Sequence, residues 1–301
     1  MTRLLVAGAT GFIGRRLVPA LVEAGHDVRA MTRNPKTYDG PGQAVGGDVA
    51  DPSSLAGPLD GVEVAYYLVH SLDSDDFERR DAEAARNFAR AAARAGVRRI
   101  VYLGGLGSSD GELSAHLRSR REVETLLGGS GVPVTVLRAA IIVGHGGISW
   151  EITRQLVKNL PAMVVPRWAG TRTQPIALDD VIGYLTGVLE QDETTGEVYE
   201  IGGPEVLTYA EMMQRAAKVL VDRRVVMVQA PVLTPRLSSY WLALVTDVDV
   251  TTGRNLIDSM GTEVVVSDDR IRRLIERDLV GYDDAVRRAL EDRREGVEHH
   301  D

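Results

Sequence analysis

Gly8, Gly11 and Gly14 recur at three-residue spacing directly behind the apolar run Leu4-Leu5-Val6-Ala7. In the order strand, turn, helix, that spacing suits a dinucleotide's pyrophosphate. A side chain at the first glycine obstructs the tight turn, one at the second holds the backbone off a phosphate, and one at the third pushes the helix off the strand. The helix opening here offers unpaired N–H groups and the positive end of its dipole. Gly8, Thr10, Gly11, Phe12, Ile13 and Gly14 thus form a candidate phosphate cradle. The alternative is a glycine-rich turn that merely closes a βαβ unit.

A second chemical signal stands at the end of the next strand, where an NAD site carries an Asp or Glu for the ribose hydroxyls. Here the chain reads Met31-Thr32-Arg33-Asn34, with Lys36 close by, so the acid is missing and a cation is present. A guanidinium can hold a 2′-phosphate through paired, charge-assisted bonds. NADP(H) is therefore preferred over NAD(H). Alternatively, Arg33 stacks on adenine and accepts either cofactor.

The elements that must position these groups alternate. Strands are expected at 4–7, 28–31, 43–46, 62–69, 97–103 and 132–143, with helices after Gly14, at 76–95 and at 113–127. Pro19 lies inside the first helix, where it removes a hydrogen bond and bends the axis. This is α/β patterning, and it predicts a Rossmann-type doubly wound parallel sheet with right-handed crossovers.

Beyond His145 the alternation breaks down. A helix at 150–160, a strand at 163–165, a loop at 167–174, a helix capped by Asp179 or Asp180 and running to 190, and a last strand at 198–201 are expected. Thr208 and Glu211 form a capping box opening a helix at 209–220. Ser267, Asp268 and Asp269 start another, and 283–294 forms the last. This divides the chain into a dinucleotide-binding domain, 1–145 with 175–205, and a smaller mixed α/β region covering a substrate or partner, 146–174 with 206–301. Trp150, Met163, Trp168, Tyr184, Met212, Tyr240 and Trp241 are candidate pocket walls, with plain core as the alternative for each. His145 is a lone loop histidine.

The 301 residues carry a net charge of −8 and no cysteine. That balance opposes non-specific nucleic-acid binding, and disulfides, thiolate metal sites and a cysteine nucleophile are excluded. No metal site is expected, since His299 and His300 are adjacent and cannot converge on one ion. No apolar run is long enough to span a membrane; 241–245 is among the longer ones. The chain starts without a leader pattern, so a cytoplasmic location is expected.

GATGFIG, Gly47-Asp48-Val49, YYLVHS, AGVRRIVYLGG and IGGPEVLTYAEMM together resemble the extended short-chain dehydrogenase/reductase superfamily, and within it the atypical, NmrA-like NAD(P)H-binding group. The resemblance implies that Asp48 accepts a hydrogen bond from the adenine amino group, Val49 packs on the ring, and Leu68 to His70 lie along the nicotinamide ribose. The alternative for Asp48 is an Asx-type turn at the strand end, and for His70 a polar strand-end residue. The superfamily's Tyr-x-x-x-Lys pair is absent: Lys36, Lys158 and Lys218 follow Thr32, Arg154 and Gln214 at that spacing. His116 and Arg120 stand in its place, and Gly105 lies nearest the superfamily's serine, with Ser108 and Ser109 following.

His116 and Arg120 are one helical turn apart and share a face. In the active reading the imidazole of His116 donates a proton and Arg120 binds the ribose or an oxyanion. In the bland reading Arg120 pairs with Glu124 and His116 covers the sheet. The expected function is an NADPH-dependent reductase of a small apolar carbonyl, quinone or enone. The alternatives are a non-catalytic redox sensor or assembly factor, and an epimerase or dehydratase with retained cofactor. A homo-oligomer or a protein partner stays open.

Overall fold

The computed structural model describes residues 1–71, 74, 76–107, 113–229 and 250–298. Seven parallel strands form the central sheet: β1 (Arg3–Ala7), β2 (Asp27–Thr32), β3 (Gln43–Gly46), β4 (Val64–Tyr67), β5 (Arg99–Gly105), β6 (Val134–Ala139) and β11 (Val198–Ile201). Their order is β11-β6-β5-β4-β1-β2-β3. The chain thus winds outward from β1 in both directions. The break between β1 and β4 is the switch point, where the loops part and leave a crevice.

Strand side chains alternate between two apolar layers, as period-two geometry requires. Leu4, Val6, Val64 and Tyr66 pack with Leu17, Val18 and Leu21 of α1 (Gly14–Glu23) and with Val181 and Tyr184 of α6 (Leu178–Gly187). Leu5, Ala7, Ala65 and Tyr67 pack with Ala85 and Phe88 of α3 (Phe77–Arg94) and with Val123 and Leu127 of α4 (Ala115–Gly128). The sheet is therefore covered on both faces, which is why its strands read as continuous apolar runs rather than as alternation.

The expected Rossmann-type doubly wound sheet is the one observed, with some boundaries moved. The single strand expected at 132–143 is two: β6 ends at Ala139, and Ile142–Val143 (β7) turns away to pair with β10 (Ile176–Ala177). Neither Asp179 nor Asp180 caps α6, whose N-cap is Ala177; both acids lie in the first turn. The Thr208–Glu211 capping box is present in full and opens α7 (Tyr209–Val221). Pro19 does not interrupt α1.

A third apolar cluster lies beyond the sheet. It joins Trp150, Ile152 and Val157 of α5 (Ile148–Asn159), Met212, Met213 and Ala216 of α7, Ile257 of α8 (Val250–Met260), and Tyr282, Val286 and Ala289 of α10 (Tyr282–Glu298). Trp150, Met163, Tyr184 and Met212 are all buried in these cores, so plain packing accounts for them. Trp168 packs edge-on against Tyr209 at 5.7 Å. Tyr240, Trp241, Ser108, Ser109, His299 and His300 fall outside the described residues. Among the described residues, no helix is long and apolar enough to cross a membrane.

At the strand ends opposite the crevice, the buried Arg99 makes no ion pair with the described residues. It donates instead to Thr135 Oγ1, the Val188 carbonyl and Thr194 Oγ1. Hydrogen bonds to a charged group are the stronger kind, so Arg99→Met is expected to cost about 2 kcal/mol. The shift of the urea midpoint measures this, and an unchanged midpoint would show that the clamp contributes nothing.

Candidate active site

The glycine turn is shaped by close contacts. Gly8 has φ +87°, and a Cβ there would stand 3.0 Å from the Leu68 carbonyl oxygen. At Gly14 a Cβ would fall 2.2 Å from the Gly8 carbonyl oxygen and 2.7 Å from Ala9 Cα, so only glycine lets α1 seat on the turn. Gly11 differs: it is exposed, and the Gly8 carbonyl, at 3.2 Å, is all that its Cβ would meet. The open side is the crevice.

The first turn of α1 has no capping side chain and no acid. Among the described residues the N–H groups of Phe12 and Ile13 have no acceptor, while Arg15 turns its guanidinium back to the Thr10 carbonyl at 2.8 Å. An uncapped helix N-terminus with bare amides and the positive dipole end is an anion site, and a diphosphate fits it. Phe12 packs against the loop after β7, where a Cβ at Gly147 would come within 2.7 Å of its ring.

Parallel register brings the neighbouring strands level, with Ala7 opposite both Met31 and Tyr67. Arg33 therefore leaves β2 beside the turn. Arg33 and Lys36 are exposed, and neither makes an ion pair or side-chain hydrogen bond with the described residues. Asp48 makes an Asx-type turn, its Oδ1 accepting from Ala50 N at 2.9 Å. Val49 is 7% exposed and sits in the layer with Met31 and Phe88. Leu68 is tied to β1 by its N–H on the Ala7 carbonyl, 3.0 Å.

His70, His116 and Arg120 converge. Ser114 caps α4, its Oγ accepting from Leu117 N at 3.3 Å, and this sets His116 and Arg120 on one face of the helix. The Arg120 stem crosses Gly105 at the end of β5, where a Cβ would lie 3.5 Å from Arg120 Cγ and 2.9 Å from Leu117 Cδ2. The space of a serine side chain at 105 is thus filled by Leu117. Glu124 does not pair with Arg120: Arg138 takes it through two hydrogen bonds, of 2.5 and 3.1 Å. The pairing of the bland reading is therefore not made. His145, in contrast, is tied to Glu151 at 3.3 Å, on a carboxylate that also holds Arg154 and Arg293.

No side-chain nitrogen of His70 or His116 bonds to a described residue, whereas the Arg120 side chain stands within hydrogen-bond reach of the Tyr102 hydroxyl. Burial, then the charge of Arg120, then His70 pull the His116 imidazole down to about 3. At His70, desolvation by the surrounding protein and then the charge of Arg120 push the imidazole in the same direction. Both rings are therefore neutral near pH 7, and neither supplies an acidic proton as an imidazolium would. This weakens the proton-donor role expected of His116.

Beneath them Tyr67 ends β4 and lies level with Tyr102 in the middle of β5, and the Tyr67 hydroxyl is buried without a partner among the described residues. Burial raises both phenols, with Asp81 acting in the same sense and Arg120 against it. Sequence reasoning missed these two as site residues because a tyrosine in an apolar strand reads as core. It also missed Ser114, although a serine just before a helical run is an N-cap signature.

Gly14→Ala is expected to cost about 2–4 kcal/mol, the scale of a backbone overlap with no flexible side chain to yield; denaturant unfolding checks it. As pH falls below 6.5, the unfolded chain binds a proton at His116 that the folded chain refuses until about 3. Folded stability is therefore present above 6.5 and lost on acidification through that window. His116→Asn should flatten the fall in unfolding midpoint between about pH 7 and about pH 5; an identical slope would mean the imidazole titrates normally.

The profile of a family described as NAD(P)H-binding matches residues 8–168. A (4-alkanoyl-5-oxo-2,5-dihydrofuran-3-yl)methyl phosphate reductase of Streptomyces griseus is 30% identical over 229 residues, 72% of this chain and 73% of that one. The mitochondrial NADH dehydrogenase [ubiquinone] 1 alpha subcomplex subunit 9 of Arabidopsis thaliana is 27% identical over 69% of this chain, a match spanning 56% of that subunit. In fold, the chain resembles an NADPH-dependent quinone oxidoreductase of Escherichia coli solved with NADPH, at TM-score 0.78 and 19% identity, over 96% of this chain and all of the other. The crevice, the glycine turn and the profile agree: this chain belongs to the NAD(P)H-binding family.

Proposed function

We propose that the chain is an NADPH-dependent reductase of a small, largely apolar carbonyl, quinone or enone. The observation that carries this reading is the pair of unpaired cations, Arg33 and Lys36, beside an uncapped, glycine-lined helix N-terminus. In this reading the amides of the Gly8–Gly14 turn hold the diphosphate and Arg33 holds the 2′-phosphate. Asp48 and Val49 bound the adenine, and Leu68 to His70 flank the nicotinamide ribose. The bound nicotinamide would supply the hydride, and the protein need only position and shield the reacting groups.

His70, His116 and Arg120 take the substrate end in this reading. Residues 146–174 with 206–301 form the covering region, supported by the separate apolar cluster that they build. Without a Tyr-x-x-x-Lys pair, a conjugated acceptor is favoured over a simple alcohol–ketone couple. The missing pair also favours a second reading, a nucleotide-binding module that senses redox state. Such a module must bind a protein partner differently with NADPH and with NADP⁺, which light scattering can follow.

Nicotinamide fluorescence titration tests the first reading. NADPH is expected to bind about 10–100-fold tighter than NADH, and Arg33→Ser to remove that preference with little change for NADH. Equal affinities in the unaltered protein would remove the 2′-phosphate assignment. Absence of NADPH oxidation with a quinone and aldehyde panel would remove the reductase.

A further inference from the structure

We propose that Arg120, with His70 and His116 beside it, is a recognition site for an acidic oxygen of the substrate, the ionised enol or hydroxyl of a hydroxyquinone or similar conjugated acid. The inference rests on the reductase reading above only in calling the ligand a substrate; the binding site itself stands on the geometry.

Arg120 is half-buried, and among the described residues it makes no ion pair. Withdrawing a cation from water without a partner is costly, and proteins pair such groups unless a ligand does so. The acid one turn along the helix was available and is taken elsewhere: Glu124 is held by Arg138, with Arg121 at 4.0 Å. Asp81 acts on the same tyrosines from α3. Among the described residues the guanidinium therefore meets the uncharged Tyr102 hydroxyl and makes no ion pair, so its charge has no anionic partner there.

The two imidazoles sharpen the preference. Neither nitrogen of either ring bonds to a described residue, and both rings are held neutral, so they add hydrogen bonds without adding charge. The site then carries one fixed positive charge, placed at the carboxyl ends of β4 and β5, where ligands bind in this architecture. A neutral carbonyl uses only hydrogen bonds there. A ligand with a formal or delocalised negative oxygen also neutralises the cation, and hydrogen bonds between charged partners are about twice as strong.

Calorimetric titration of the full chain with lawsone, a hydroxynaphthoquinone ionised at neutral pH, and with menadione, its neutral methyl counterpart, tests the site. Lawsone is expected to bind about 10-fold tighter or more. Arg120→Gln should remove that preference, lowering lawsone affinity about 10-fold or more and menadione affinity by less, with NADPH affinity kept. Arg120→Lys should keep part of the preference, because a point charge remains; this variant guards against a glutamine variant that misfolds, which circular dichroism detects.

Equal binding of the two quinones, or lawsone affinity that survives Arg120→Gln, overturns the proposal. So does a loss of NADPH affinity in place of lawsone affinity, which would assign the guanidinium to the nucleotide. Lawsone binding by a chain that binds no nicotinamide nucleotide would support the site and overturn the reductase reading alone.

Discussion

The arrangement depends on one close approach, the backbone of Gly14 against the carbonyl of Gly8, where a Cβ would stand only 2.2 Å away. That contact draws the start of α1 down onto the end of β1 and aims its free amides across the strand ends. The same turn meets the loop after β4, since Gly8 also lies against the Leu68 carbonyl. One short segment thus braces both walls of the crevice, and each wall is a backbone that side chains elsewhere cannot substitute. Pro19 is tolerated in the same helix because the carbonyl it leaves unpaired belongs to Arg15, on the exposed side.

Charge is used sparingly in this crevice. Most arginines of the described residues are engaged by acids or carbonyls: Arg3 by Asp27, Arg138 by Glu124, Arg215 by Glu205 and Asp283. Arg33 and Arg120 are left without such partners at opposite ends of the strand edge, one exposed and one half-buried. In a chain of net charge −8, these cations at the strand edge stand out as positive charge that no acid among the described residues neutralises.

The C-terminal region is held chiefly by burial. Arg16–Asp292, Arg288–Asp179 and Arg293–Glu151 link α10 to α1, α6 and α5, but each arginine is at least 41% exposed, and such pairs contribute about 0–1 kcal/mol each. Trp150, Met212, Tyr282 and Val286 beneath them are each at most 3% exposed, and fully burying a large apolar side chain is worth about 1.5–3 kcal/mol. The apolar cluster, more than the ion pairs, keeps the helix in place. Ser259 on α8 reaches Ser114 Oγ at 3.0 Å, so this region also touches the cap of the helix that carries His116.

The sequence by itself determined what short-range chemistry dictates. Glycine spacing, apolar runs and the T-x-x-E box each specify their own local backbone, so the turn, the sheet's strands and the start of α7 were legible. Arg33 was legible because it follows its strand directly. Tertiary structure alone decided which partner each charge takes. Glu124 lies at helical spacing from Arg120, yet Arg138 on β6 reaches it first, and no local rule weighs a helix neighbour against a strand neighbour. The break of the sixth strand at Ala139, the neutral state of two histidines and the partnerless Tyr67 hydroxyl likewise arise from groups distant in sequence that desolvate one another, and packing places those groups.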